Sequence, residues 1–262
     1  MLIGQLGSVQ THRPNARLID EGQLLERPRL IRSGWACRAR YLTNGRRQIL
    51  NFYLPGEIMG LSADVDGAAQ ASYVSLTRLS TLDLGMLRSM VIERPHDVPA
   101  VTAAFHVMRL HEEYHLLSQV VRIGQQKAFE RVAHLLLEFH ARLSKSGLTE
   151  GNSFQLPLTQ EVLGDGLGLS AVHVNRTFKL LKRKGYVKTG RSSVTLLEPE
   201  ALSQVAGYRE PMDYRPVDRA AFPHISISEP TRRPVPAMRP PAAFGRDTGS
   251  SPNGRPIGDS VS

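Results

Sequence analysis

Apolar residues follow two rhythms along this chain. Between residues 17 and 92 they form short runs cut by turn formers. Arg29–Ile31 precedes Ser33-Gly34, Ala36–Leu42 precedes Asn44-Gly45 and Gln48–Leu54 precedes Pro55-Gly56, with Ala71–Leu76 and Ser80–Leu84 further on. Trp35, Cys37, Ala39 and Tyr41 alternate with Ala36, Arg38, Arg40 and Leu42, and Thr43-Asn44-Gly45 is a hairpin-turn signature. Strands at this spacing predict an antiparallel β-roll over residues 1–95 of an α+β chain. Residues 96–124 then predict one long helix. Ala100, Ala103, Val107, Leu110, Tyr114, Leu117 and Val121 recur at alternating steps of three and four, while Val101, Phe105 and Met108 widen the stripe. No Pro or Gly interrupts Ala100–Ile123, about 36 Å of helix. So wide a stripe can serve both its own roll and a second copy of the chain. Val107, Leu110, Tyr114, Leu117 and Val121 are therefore the candidate homodimer contacts, with an ordinary core helix as the competing reading.

Residues 125–200 read as a separate winged helix-turn-helix domain. Gln126–Leu143 is amphipathic, with Phe129, Val132, Ala133, Leu136 and Leu137 on one face. In Leu158–Leu181, Thr159 stands at a helix N-cap, Glu161 in the first turn and Gly168 at a tight turn. Ser170 caps a second helix bearing His173, Asn175, Arg176 and Lys179. Tyr186–Thr189 and Ser193–Leu197 around Gly190-Arg191 form a hairpin wing. No acidic residue occurs from Gly166 to Leu197, whereas Arg176, Lys179, Lys182, Arg183, Lys184, Lys188 and Arg191 do. Shape and charge together imply double-stranded DNA as partner. Arg176 points outward if Val174, Phe178 and Leu181 point inward, and arginine pairs bidentately with guanine. His173 shares its face, and Val172 is placed for a thymine methyl. Thr159, Gln160, Ser170, Lys179 and Lys182 complete the candidate contacts, chiefly to phosphates. The competing reading is a solvated helix in some other small domain. Gly164, Gly166 and Gly168 look like a nucleotide-loop fragment but follow no strand; they imply a loose first helix instead.

Composition bounds these readings. The chain has 262 residues and a net charge of +9, and Cys37 is its single cysteine, which rules out an intrachain disulfide and a cysteine-rich metal site. Core packing is the reading for Cys37, with redox sensing as the alternative. No apolar run approaches the ~20 residues of a membrane span, and MLIGQLGSVQTHRPNAR lacks a signal-peptide core, so a cytoplasmic location is expected. Residues 208–262 hold ten of the chain's 17 prolines and few large apolar residues, and read as a disordered tail.

His111-Glu112-Glu113-Tyr114-His115 spells the H-E-x-x-H of zinc proteases, which raises a zinc hydrolase as a rival function. It lies within the expected dimer helix and lacks a third ligand downstream, so no enzyme, metal or other cofactor is expected.

Several stretches resemble the cyclic-AMP receptor/fumarate–nitrate regulator (Crp/Fnr) superfamily of bacterial transcription factors. They are Gly34–Arg38, Gly45–Phe52, Leu54-Pro55-Gly56-Glu57 and Leu156–Leu181, within an overall match over residues 17–200. The resemblance implies a sensor roll, a long dimer helix, a winged helix on palindromic DNA and RNA polymerase as a further partner. It also marks departures. Where cyclic-nucleotide binders carry Gly-Glu and Arg-Ser/Thr-Ala, this chain has Gly60-Leu61 and Gln70-Ala71-Ser72. The phosphate-binding arginine is missing, which argues against gating by cyclic AMP. The N-terminal cysteine cluster of the oxygen-sensing branch is absent as well, and no haem ligand stands out. The effector is thus unidentified, and a constitutive DNA binder with a degenerate roll is the alternative. Val172 stands where well-studied members have a glutamate, which implies a different operator, while Arg176 is retained. The N-terminus is short for the family, so either the roll is incomplete or the chain begins further upstream.

Overall fold

The computed structural model describes residues 7–25, 27–61 and 67–211; the expected tail lies outside the described residues from 212 onward. The N-terminal half is built from β1 (Val9–His12), β2 (Arg17–Ile19), β3 (Arg29–Ser33), β4 (Ala36–Tyr41), β5 (Arg47–Tyr53), β6 (Ile58–Met59), β7 (Ser72–Ser75) and β8 (Leu79–Asp83). They form two four-stranded antiparallel sheets, ordered β1-β8-β3-β6 and β2-β7-β4-β5. The hairpin predicted at Asn44-Gly45 joins β4 to β5, with Gly45 at φ 80° and a bulge at Arg38/Ala39. The polar run of β1 carries no strand signature, yet it pairs with β8 along its length and covers that strand's edge.

The alternation in β4 has apolar residues on both faces because both faces are covered. Ala36, with Tyr53 and Tyr73, points into the roll. Cys37 and Ala39, with Ile49 and Phe52, point outward into a second core that they share with the C-terminal half.

After α1 (Gly85–Glu93) and a 3-10 turn at Pro95–Asp97, the long helix α2 runs Pro99–Gln125. Its N-terminal part anchors to the roll through Phe105, with Val101 and Met108 beside it. Further along, the residues it buries are polar: Glu112, His115, Gln119 and Arg122. Its apolar residues face out, with Leu117 60%, Val120 69% and Val121 55% exposed.

Helix α3 (Ala128–Lys145) follows, its N-terminus closed by the Glu130 carboxylate accepting from the Lys127 N–H at 2.9 Å. Then come β9 (Thr149–Glu150), β10 (Ser153–Gln155), α4 (Gln160–Leu167), α5 (Ala171–Arg183), β11 (Val187–Thr189), β12 (Ser193–Leu196) and α6 (Pro199–Ala206). The wing is a four-stranded sheet, β11-β12-β10-β9. Tyr208, the first residue of the expected tail, stacks edge-on to His134 at 5.1 Å.

Candidate nucleic-acid interface

Local chemistry fixes the helix-turn-helix. Thr159 caps α4 by accepting from the Val162 N–H at 3.3 Å, and Ser170 caps α5 by accepting from the His173 N–H at 3.3 Å. Caps of this kind contribute about 1 kcal/mol each. Gly168 ends α4 in the left-handed region, φ 64°, which glycine adopts without strain. Val174 and Leu181 are buried and Phe178 packs on the same core, so α5 presents its opposite face to solvent.

That face carries the residues singled out in the sequence. Val172 is 67% exposed, and His173, Arg176, Lys179 and Lys182 are all exposed, as are the two capping residues. Val172, Arg176 and Lys179 border one shallow groove together with Gln160. Gln160 also has a structural task, its Oε1 accepting from Asn175 Nδ2 at 3.0 Å, which ties α4 to α5. Among the described residues no ion pair engages Arg176, Lys179, Lys182, Lys188 or Arg191. Lys184 lies over the Phe129 ring at 5.5 Å. Two acids lie near this surface in sequence: the exposed Glu161, to which the Thr159 hydroxyl donates at 3.4 Å, and Asp165, which pairs with Arg47 at 2.7 Å. The exposed face of α5 itself carries positive charge that no ion pair among the described residues neutralises, the electrostatic requirement for holding a phosphate backbone.

Two glycines of α4 permit close approach. A Cβ on Gly164 would sit 2.4 Å from the Leu169 carbonyl oxygen, and one on Gly166 would meet the Phe52 ring at 2.8 Å. Through that contact α4 lies directly on β5. Gln48 Nε2 donates to the Asp165 carbonyl at 2.9 Å. Gln119 of α2 donates to the carbonyls of both Ile49, at 3.2 Å, and Gly166.

Sequence reasoning missed the polar seam between α2 and α3. Glu138 is buried and its carboxylate binds Arg122 and, at 2.7 Å, Arg142. Burial alone would raise its pKa, but Arg122, His115 and Arg142 outweigh that and hold it well below the usual carboxylate range. Arg142 also reaches Glu57 of the β5–β6 turn at 2.6 Å, and Arg122 donates to Gln119 Oε1 at 2.6 Å and to His134 Nδ1 at 3.0 Å. A chain of hydrogen bonds, charge-assisted as far as Gln119, thus runs from the roll through α3 and α2 to α4. The available sequence signal was a run of charged residues at helical spacing inside apolar stretches, which reads equally well as a solvated face.

The remaining predicted positions are scattered. Val107, Leu110 and Tyr114 of the expected dimer stripe are half-buried, whereas Leu117 and Val121 are exposed. The H-E-x-x-H glutamate is committed elsewhere: Glu112 accepts from the Tyr53 hydroxyl at 2.5 Å and pairs with Arg38 at 3.2 Å. Among the described residues no group of three His, Cys, Asp or Glu side chains is placed to hold a metal ion. Cys37 is fully buried, and burial pushes its thiol up to about 12.

Comparison with known proteins fits this geometry. Residues 130–205 match the Crp-like helix-turn-helix domain. The nitrogen fixation regulation protein FixK of Rhizobium meliloti is 29% identical over 74% of this chain and 85% of its own length. The transcriptional regulatory protein btr of Bordetella pertussis is 28% identical over 63% of this chain and 67% of its own. Among solved structures, FixK2 from Bradyrhizobium japonicum superposes with a TM-score of 0.68 at 22% identity, covering 78% of this chain and all of that one.

Proposed function

We propose that this DNA-binding transcription regulator, which is similar to the Crp/Fnr family, acts as a homodimer reading a palindromic operator. The observation that carries this reading is the pairing of an exposed, capped, cation-bearing α5 with an α2 that turns its apolar face to solvent. Two copies joined along Leu117, Val120 and Val121 would bury that face and set two α5 helices against half-sites one DNA turn apart. Arg176 reads a guanine, Val172 and His173 lie on neighbouring base edges, and Thr159, Gln160, Ser170, Lys179 and Lys182 hold phosphates. RNA polymerase is the further partner, and the cytoplasm the working compartment.

Cyclic AMP is not the signal in this reading. Among the described residues the roll packs Tyr53 against Tyr73, at 5.7 Å between ring centroids, and its buried Arg38 is taken up by Glu112 of α2. That packing favours, as a second reading, a roll that holds no ligand at all.

Selection of bound sequences from a random DNA pool tests the operator. The expected result is an inverted repeat with half-site centres about 10 base pairs apart. Arg176→Ala should cost ~1–3 kcal/mol on the selected site and relax one base position. Equal affinity of variant and wild type would overturn the assignment. A pool that yields no palindrome would overturn the dimeric reader.

A further inference from the structure

We propose that the cavity where the roll, α2 and α3 meet is the effector site of this regulator, and that it takes a small organic carboxylate with an apolar body. The proposal rests on the regulator reading above and gives that regulator its signal.

The cavity has a volume of about 230 Å³, several times the ~30 Å³ that one water occupies in the liquid and below the ~300 Å³ at which drug-sized sites begin. It is metabolite-sized. It borders the roll at Asn51 and Tyr53 and lies against the β5–β6 turn, one face of α2 and the C-terminal turns of α3, with Tyr208 and Pro211 at its rim. Ile58, Met108 and Tyr208 supply apolar wall.

Charge selects the ligand. Both acids in the wall are already compensated within the protein. Glu57 takes Arg142 at 2.6 Å and the Leu54 N–H at 2.9 Å, and Glu112 takes Arg38 and Tyr53. Lys145 is exposed at the mouth and has no ion pair among the described residues. One unmatched cation beside an apolar wall suits a monoanion. A phosphate, which needs several donors and carries more charge than the one unmatched cation offsets, is disfavoured. His115, also in the wall, has an Nδ1 that makes no hydrogen bond and stands 3.7 Å from Glu138.

The cavity is placed to act on DNA reading. Arg142 forms its wall and is the same residue that joins Glu57 of the roll to Glu138 of α3. From Glu138 the bonds continue through Arg122 and Gln119 to the Gly166 carbonyl of α4. A ligand that shifts Arg142 or α2 therefore changes the bonding that positions the helix-turn-helix on its roll, the differential contact that a population shift requires.

The test uses the full chain, with benzoate and hexanoate as probes and benzamide and hexanamide as uncharged counterparts. Thermal unfolding and fluorescence-anisotropy binding to the selected operator are both measured, on wild type, Lys145→Gln and Ala141→Phe. The expected result is a saturable rise in Tm with at least one carboxylate and none with its amide. With it should come a change of about fivefold or more in the protein concentration that half-saturates DNA, the lower end of ordinary coupling. Lys145→Gln, at an exposed position, should abolish both responses, and Ala141→Phe should do so by filling the cavity. Should Ala141→Phe fail to fold, Lys145→Gln decides alone. Absence of a saturable response to either carboxylate, equal response to the amides, or an undiminished response in Lys145→Gln each overturns the proposal. The two readings fail separately. Loss of the regulator reading shows as no DNA binding in any condition, whereas loss of the effector site shows as intact DNA binding that carboxylates leave unchanged.

Discussion

Gly166 shows how much a single hydrogen atom in place of a methyl group decides here. Alanine is ordinarily better than glycine inside a helix by ~1 kcal/mol. At this position the added carbon meets the Phe52 ring at 2.8 Å. That ring cannot swing aside freely, being set edge-on against Phe139 at 5.2 Å in the shared core. Gly166→Ala should therefore destabilise the protein, by about 1–3 kcal/mol in urea titration, as overpacked cores do. Adding Phe52→Leu should recover part of the loss, which a double-mutant cycle would show as a favourable coupling. A net gain in stability for the single variant would mean that α4 does not rest on β5 as described. The sequence displayed these glycines plainly but not their purpose. Their partners, Phe52 and the Leu169 carbonyl, are a tertiary neighbour and a backbone atom, neither visible in local spacing. Thr159, Gly168 and Ser170 were legible because caps and turns are local chemistry. Lys182→Ala belongs to the same scale: it should weaken binding to all DNA sequences alike and lower the salt slope by about one phosphate contact.

Helix α2 has its polarity reversed relative to an ordinary amphipathic helix, with Glu112, His115, Gln119 and Arg122 inside and Leu117, Val120 and Val121 outside. Leu117 and Val121 were legible as the last members of a three–four repeat, whereas Val120 lies outside that repeat. The inward polar stripe was not legible, because charges at helical spacing look solvated until their partners on another helix are known. Leu117→Glu with Val121→Glu should leave the protomer folded, since neither side chain is buried in it, and should shift sedimentation from dimer to monomer. A variant that stays dimeric would place the interface elsewhere. The α2–α3 seam makes stability depend on pH. Burial, reinforced by Arg142, lowers the His115 pKa from 6.5 to about 3, and burial, reinforced by Arg122, lowers that of His134 to about 4. The unfolded chain therefore binds protons more readily below pH 6.5. Stability is full above that value and falls as the pH drops toward 4, with a slope approaching that of two protons. Glu138, with its depressed pKa, adds acid sensitivity of the same sign at lower pH. Urea titrations at fixed protein concentration from pH 7.5 to 4 would show the fall, and His134→Gln should flatten it.

At the scale of the whole molecule, roll and winged helix are not beads on a string. Trp35, Phe52 and Val74 of the roll share one continuous core with Phe139, Leu163 and Val174 of the C-terminal half, and the described residues all fall within one compact unit. Heating should give a single transition with matching calorimetric and van't Hoff enthalpies; two resolved transitions would contradict a shared core. The sequence divides into a roll over residues 1–95, a helix over 96–124 and a winged helix over 125–200 because its rhythms change at those points. The strand residues that bridge the halves, Cys37, Ala39 and Ile49, look like any strand interior. The outward apolar stripe of α2 carries one more consequence, for gene dosage. If the reader is complete only as a pair, then below the dimer's dissociation constant operator occupancy rises with the square of subunit concentration. A modest change in expression would then move transcription more than proportionally, before any small molecule is involved.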